Sequence, residues 1–82
     1  MAQVRSIADS VRELAGGLDH FEVEAVNVRA LLAALDARYP GMNDLVRETM
    51  AVAIDGDIHP APWNQALAPD AEVVFIPAIG AG

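Results

Sequence analysis

Cysteine is absent from the 82 residues, which excludes disulfides, thiol catalysis and cysteine-ligated metals. Lysine is absent too. All five basic residues are arginine, against twelve Asp and Glu, for a formal net charge of −7. That balance argues against nucleic acid as a partner, because phosphate binding relies on clustered positive charge. It suits a partner with a basic groove, since complementary charge steers encounter. The plainer account is that acidity keeps a small apolar chain soluble. Long hydrophobic runs are also missing. Stretches such as Ala51 to Ile54 are far too short to span a bilayer. No apolar stretch follows Arg5 as a signal peptide would require. The expectation is a cytoplasmic chain with no membrane contact.

What is present is a globular composition, with 54% hydrophobic and 21% charged residues. A domain of this length buries only roughly 60–65% of the surface its unfolded chain exposes. Little stability is left over for a deep, enclosed active site, so a role at the surface or at a terminus is expected.

The hydrophobic pattern divides the chain into short elements. Gln3 to Ile7 reads as a strand. Asp9 or Ser10 offers a helix cap, and Ser10 with Glu13 has the spacing of a capping box. Val11 and Leu14 would give that helix its apolar edge, and Gly16-Gly17 would stop it. His20 to Val26 alternates, with Phe21, Val23 and Ala25 on one face and Glu22 and Glu24 on the other, the period of a half-buried strand. Asn27 can cap a long helix whose stripe is Val28, Leu31, Leu32, Leu35 and Tyr39, with Arg29, Asp36 and Arg38 off it, ended by Pro40-Gly41. Asn43 is a candidate cap for a further helical turn through Leu45, Val46 and Met50.

Ala51 to Ile54 and Asp57 to His59 flank Asp55-Gly56, a hairpin signal. Pro60, Pro62 and Pro69 mark an irregular stretch anchored by Trp63 and Leu67. Pro69-Asp70 turns into a last strand, Glu72 to Ile76, closed by Pro77. One mixed sheet wrapped on one main helix accounts for this order, with the first and last strands side by side in its centre.

Candidate chemistry inside the domain is sparse. Asp55, Asp57 and His59 alternate and could bind a divalent metal from one side of a strand, but Asp55-Gly56 is already explained by the turn and no further ligand lies near in sequence. The expectation is no metal. His20, beside Asp19, reads as a polar flank of a strand. Ser6 and Ser10 lack any motif that would activate a nucleophile. Glu22 and Glu24 read as a solvated strand face rather than an acid–base pair. Trp63 and Phe75 are aromatic candidates for an interface. Core packing is the simpler reading of Phe75, and both readings stay open for Trp63.

The terminus differs. After Pro77, the residues Ala78-Ile79-Gly80-Ala81-Gly82 carry no bulky side chain beyond Ile79. They extend up to roughly 20 Å, and Gly82 leaves its carboxylate unshielded by any Cβ. Such a tail can thread a narrow channel in another protein. The competing reading is an ordinary frayed terminus.

Three segments carry a family resemblance. Val11-Arg12-Glu13-Leu14-Ala15-Gly16, Asn27 to Leu35 continuing to Tyr39-Pro40-Gly41, and Asp70-Ala71-Glu72-Val73-Val74-Phe75-Ile76-Pro77 before a Gly-ended terminus are similar, in order, to the MoaD/ThiS-like family of small sulfur carriers. They most resemble the molybdopterin synthase small subunit. The resemblance implies a ubiquitin-like β-grasp domain over residues 1–77 and a flexible tail over 78–82. It implies a carrier rather than an enzyme. Gly82 would be the reactive site, with Phe75, Pro77, Ile79, Gly80 and Ala81 serving the partner-binding tail.

A free C-terminal carboxylate, ionised with a pKa of about 3.3–3.7, is a poor electrophile. The resemblance implies an adenylating partner that uses ATP and magnesium to form an acyl adenylate, which a sulfur donor converts to a thiocarboxylate. The acceptor would be the large subunit of molybdopterin synthase, and no cofactor would be held permanently. The family pattern ends Gly-Gly, whereas this chain ends Gly80-Ala81-Gly82. That departure leaves open a docking module that no longer carries sulfur. Carriers for thiamine or cysteine synthesis are a further alternative.

Overall fold

The computed structural model describes residues 1–59 and 62–77. The chain runs β1 (Ala2–Ser6), α1 (Asp9–Leu14), β2 (His20–Val23), α2 (Val28–Arg38), α3 (Met42–Thr49), β3 (Met50–Ile54), β4 (Asp57–His59) and β5 (Glu72–Pro77). The five strands form one mixed sheet in the order β2-β1-β5-β3-β4. β5 lies parallel to β1 and antiparallel to β3. The first and last strands therefore do meet at the centre. Their alternate residues Val4, Val73 and Phe75, with Val52 of β3, are fully buried, as the two-residue period of a strand requires. Val28, Leu31, Leu32 and Leu35 of α2 are equally buried and belong to the same core cluster.

The start of α2 shows how distant segments complete an element. Asn27 Oδ1 accepts from the Ala30 amide at 2.8 Å, the N-cap bond expected of Asn. The Val28 and Arg29 amides, which have no partner inside the helix, donate instead to the carbonyls of Gln65 and Trp63 at 3.1 and 2.9 Å. The stretch carrying Trp63 and Leu67 is thus tied to the helix by its backbone, and Leu67 also donates to Val26 O at 2.9 Å.

Several local expectations are corrected. α1 is not capped by Asp9 or Ser10. Its N-cap is Ala8, with no side-chain cap bond, and the Ala8 amide is held by Ser6 Oγ at 3.1 Å. Its buried edge is Ala8, Val11 and Ala15, while Leu14 is 37% exposed. Its end does match. Gly16 and Gly17 have φ of 69° and 102°, and their amides donate to Glu13 O and Arg12 O, the pair of bonds of a Schellman motif.

β2 stops at Val23 rather than Val26. The further helical turn is a complete helix of eight residues, capped at Gly41 and not at Asn43. Asp36 of α2 supplies the missing acceptor: its Oδ1 takes the Gly41 and Asn43 amides at 3.0 and 3.1 Å. Met50 opens β3 rather than continuing that helix.

Candidate functional site

The site indicated by sequence is the end of β5, and the structure shows what holds that strand. At its start, Asp55 Oδ1 accepts from the Glu72 amide at 2.9 Å, and the Asp55 amide donates to Glu72 O at 2.8 Å. Asp55 adopts φ of 49° and Gly56 φ of 90°, positive at both central residues as a two-residue hairpin turn of the primed kind needs. Toward its end, buried Ser6 donates from Oγ to Phe75 O at 3.2 Å. Ser6 opposite Phe75 is the last pair between β1 and β5. Beyond it β1 turns into α1, whereas Ile76 and Pro77 continue beside Ala51 and Met50 of β3. The strand leaves the sheet here with a neighbour on one side only.

Phe75 is 0% exposed and fixes the strand from inside the core, out of reach of a partner's surface. Pro77 is half-buried, level with Met50. Ile79, Gly80, Ala81 and Gly82, with Ala78, lie outside the described residues. Val74 and Ile76 are half-buried on the sheet face away from the core, which Ile58 and Ile7 extend with 65% and 69% exposure.

The remaining candidates take structural parts. The Asp55 carboxylate is engaged by the Glu72 amide, which accounts for its place in the sequence without a metal. Among the described residues no three His, Asp or Glu side chains gather as a metal site requires. His20 Nε2 lies 3.1 Å from Gln3 Oε1 on the neighbouring strand, a polar cross-strand contact. Glu22 is exposed opposite Gln3, and Glu24 lies beyond the end of β2. Trp63 is half-buried against the core, with the Arg47 guanidinium 4.9 Å from its ring centroid, a cation–π stack.

Sequence reasoning missed the part played by Ser6. Considered only as a nucleophile, it is instead the bolt that joins β1, β5 and the start of α1. Its buried place at the end of a strand, where no motif activates it, was the available signal. Also unforeseen is an open groove of about 800 Å³ that brings Arg5, Ile7, Arg12, Asp19, His20 and Glu72 together beside β5. No helix of the described residues is long and apolar enough to cross a membrane.

Comparison with known proteins follows the same outline. Residues 6–82 match the ThiS family. No curated protein matches the sequence significantly. Among solved structures, Mycobacterium tuberculosis CysO superposes with a TM-score of 0.83 at 18% identity, covering 96% of this chain and 100% of that one. The Amycolatopsis orientalis BexX/CysO complex gives 0.84 at 16% identity, with 100% of both chains covered. Small archaeal modifier protein 1 of Methanosarcina acetivorans gives 0.80 at 19% identity, covering 99% of this chain and 95% of that one. At such identities the likeness establishes the fold, a ubiquitin-like β-grasp.

Proposed function

The chain belongs to the ThiS family of ubiquitin-like sulfur carriers, and from that premise we propose that it takes up and delivers sulfur at the carboxylate of Gly82. The observation that carries this reading is the family match, which runs through residue 82 and so includes the bare Gly-ended segment. The clamping of β5 by Asp55 and Ser6 supports it, because a rigid exit strand lowers the ordering cost of presenting a tail to a partner.

In this reading an adenylating partner binds ATP and magnesium. The Gly82 carboxylate attacks the α-phosphorus, pyrophosphate leaves, and an acyl adenylate forms. A sulfur donor then displaces AMP and leaves a thiocarboxylate. The chain contributes the fold, the exit strand and the carboxylate, and the partner performs the catalysis. Among acceptors, the large subunit of molybdopterin synthase is favoured by the segments Val11 to Gly16 and Asp70 to Pro77. Thiamine and cysteine synthesis are the competing destinations within the family. That a chain of this fold assembles with a partner protein is illustrated by the BexX/CysO complex.

The test is to incubate the protein with the adenylating enzyme, ATP, magnesium and a sulfur source, then measure intact mass. Exchange of one terminal oxygen for sulfur is the expected result. An unchanged mass with an enzyme proven active on its own carrier sinks the reading. Supplying the charged chain to large synthase subunits or to a cysteine-synthase homologue then identifies the acceptor by which of them removes the sulfur.

Ala81 favours a second reading, a docking module that no longer carries sulfur. In a tight channel the added methyl costs about 1–3 kcal/mol, or about five- to 150-fold in rate. Ala81→Gly is therefore expected to accelerate charging by a factor in that range, measured as the initial rate of thiocarboxylate formation. An unaltered rate means the channel accommodates the methyl group.

A further inference from the structure

An acyl adenylate is attacked by any free amine that can reach it, so a carrier charged at its terminus is open to capture by its own lysines. This chain has none. Its five basic residues are Arg5, Arg12, Arg29, Arg38 and Arg47, and all five are exposed. Among the described residues only Arg47 uses its guanidinium in a side-chain hydrogen bond, from Nε to Asn43 Oδ1 at 2.9 Å, and it also stacks on Trp63. Lysine would not reproduce that pairing. Packing and hydrogen bonding give no comparable reason for arginine at the other four positions.

Two of those four stand beside the exit of β5. Arg5 is in register with Val74, three residues or about 10 Å before Pro77 at the rise of a strand. Arg12 lines the same groove, with Asp19, His20 and Glu72 around it. The segment after Pro77 spans up to roughly 20 Å, so the carboxyl of Gly82 can reach both. The opposite end of the sheet is beyond it. β1 and β5 are parallel, with Gln3 beside Glu72, which sets Met1 level with Asp70. Its α-amino group is then about 23 Å from Pro77. Arg29 belongs to that far end, in the first turn of α2, which the chain enters after Val23 of β2, opposite Ala2.

Building on the carrier reading, we propose that arginine in place of lysine at positions 5 and 12 prevents the activated tail from closing on its own domain, which reserves the acyl group for the sulfur donor. The neutral ε-amine of a lysine would attack the acyl carbon, and the C–N bond forms. The acyl–phosphate C–O bond breaks, AMP departs with the electron pair, and the amine's proton goes to solvent. The product is a chain closed by an isopeptide bond, one water lighter than the open chain. Tethering would present such an amine at an effective concentration on the order of millimolar. A guanidinium stays protonated and offers no free electron pair.

The experiment uses wild type, Arg5→Lys, Arg12→Lys and Arg29→Lys, each prepared with a thioester at Gly82 by intein cleavage and followed by intact mass. There the thiol leaves in place of AMP, and no adenylating enzyme is needed. Arg5→Lys and Arg12→Lys are expected to yield closed chain at least about tenfold above wild type and Arg29→Lys, and faster as pH approaches about 9, where more of the amine is neutral. Open chain only from Arg5→Lys and Arg12→Lys, or equal closure in Arg29→Lys, overturns the proposal. A parallel incubation with the enzyme, ATP and magnesium reads pyrophosphate release, the leaving group of the adenylation step itself. Failure there counts against the carrier reading and leaves the thioester result standing.

Discussion

Deleting Gly82 is expected to abolish charging altogether while leaving the domain intact. The deletion moves the terminal carboxylate back by about 3.5 Å. A misplacement of about 1 Å at a reacting centre already costs about a hundredfold. The new terminus would also be Ala81, whose Cβ stands beside the reacting carbon where Gly82 has none. The clamps on β5, Asp55 to Glu72 and Ser6 to Phe75, lie well before the deletion. Surface changes away from buried features usually fall within about 0.5 kcal/mol, so the thermal midpoint should move by no more than about 2–4 °C. Pyrophosphate exchange and intact mass report the charging, and titration against the adenylating partner reports docking. Docking retained with charging lost is the expected pair of results. Biological activity that survives the deletion would instead identify a docking module.

Comparison of sequence with structure separates local from distant causes. The stripe of α2 and its Asn27 cap were legible because the spacing of Val28, Leu31, Leu32 and Leu35 and the Asn side chain act within one or two turns. The Asp55-Gly56 hairpin was legible for a similar reason, its positive φ angles being set by two adjacent residues. The start of α1 was not, because its amide is taken by Ser6 from the preceding strand and a capping-box pattern at Ser10 and Glu13 offers no competing bond in the fold. The full length of α3 was hidden because Asp36, on another helix, caps it. β2 is cut short because Val26 turns away to receive the Leu67 amide, a partner 41 residues later in the numbering of those two positions.

The site followed the same division. Its exit strand could be read from the run Glu72 to Pro77, whereas the groove with Arg5 and Arg12 arises only when β1, α1 and β2 are brought together. Family resemblance, rather than spacing, pointed to Gly82.

Phe75→Ala is the counterpart of the terminal deletion, since it should disable the carrier through the fold alone. The Phe75 ring is 0% exposed at the centre of the sheet, and its strand pairs on both sides, with Ser6 and Val52. Truncating a buried phenylalanine costs about 3–5 kcal/mol through lost burial and the cavity left behind. Small domains have only about 5–15 kcal/mol in total. At about 4–8 °C per kcal/mol for a domain of this size, the midpoint should fall by about 12–40 °C. Phe75→Leu, which refills part of the space, should fall markedly less.

The two kinds of defect differ in temperature dependence. Cooling restores the folded fraction of Phe75→Ala, so its charging rate should recover in step with its refolded population, whereas the Gly82 deletion should remain inert at every temperature. Urea unfolding fixes the stability, and charging rates measured across the transition test the link. Wild-type stability in Phe75→Ala would contradict its assigned place in the core. Charging that stays absent in refolded Phe75→Ala would show that the ring affects how the exit strand is presented, beyond keeping the domain folded.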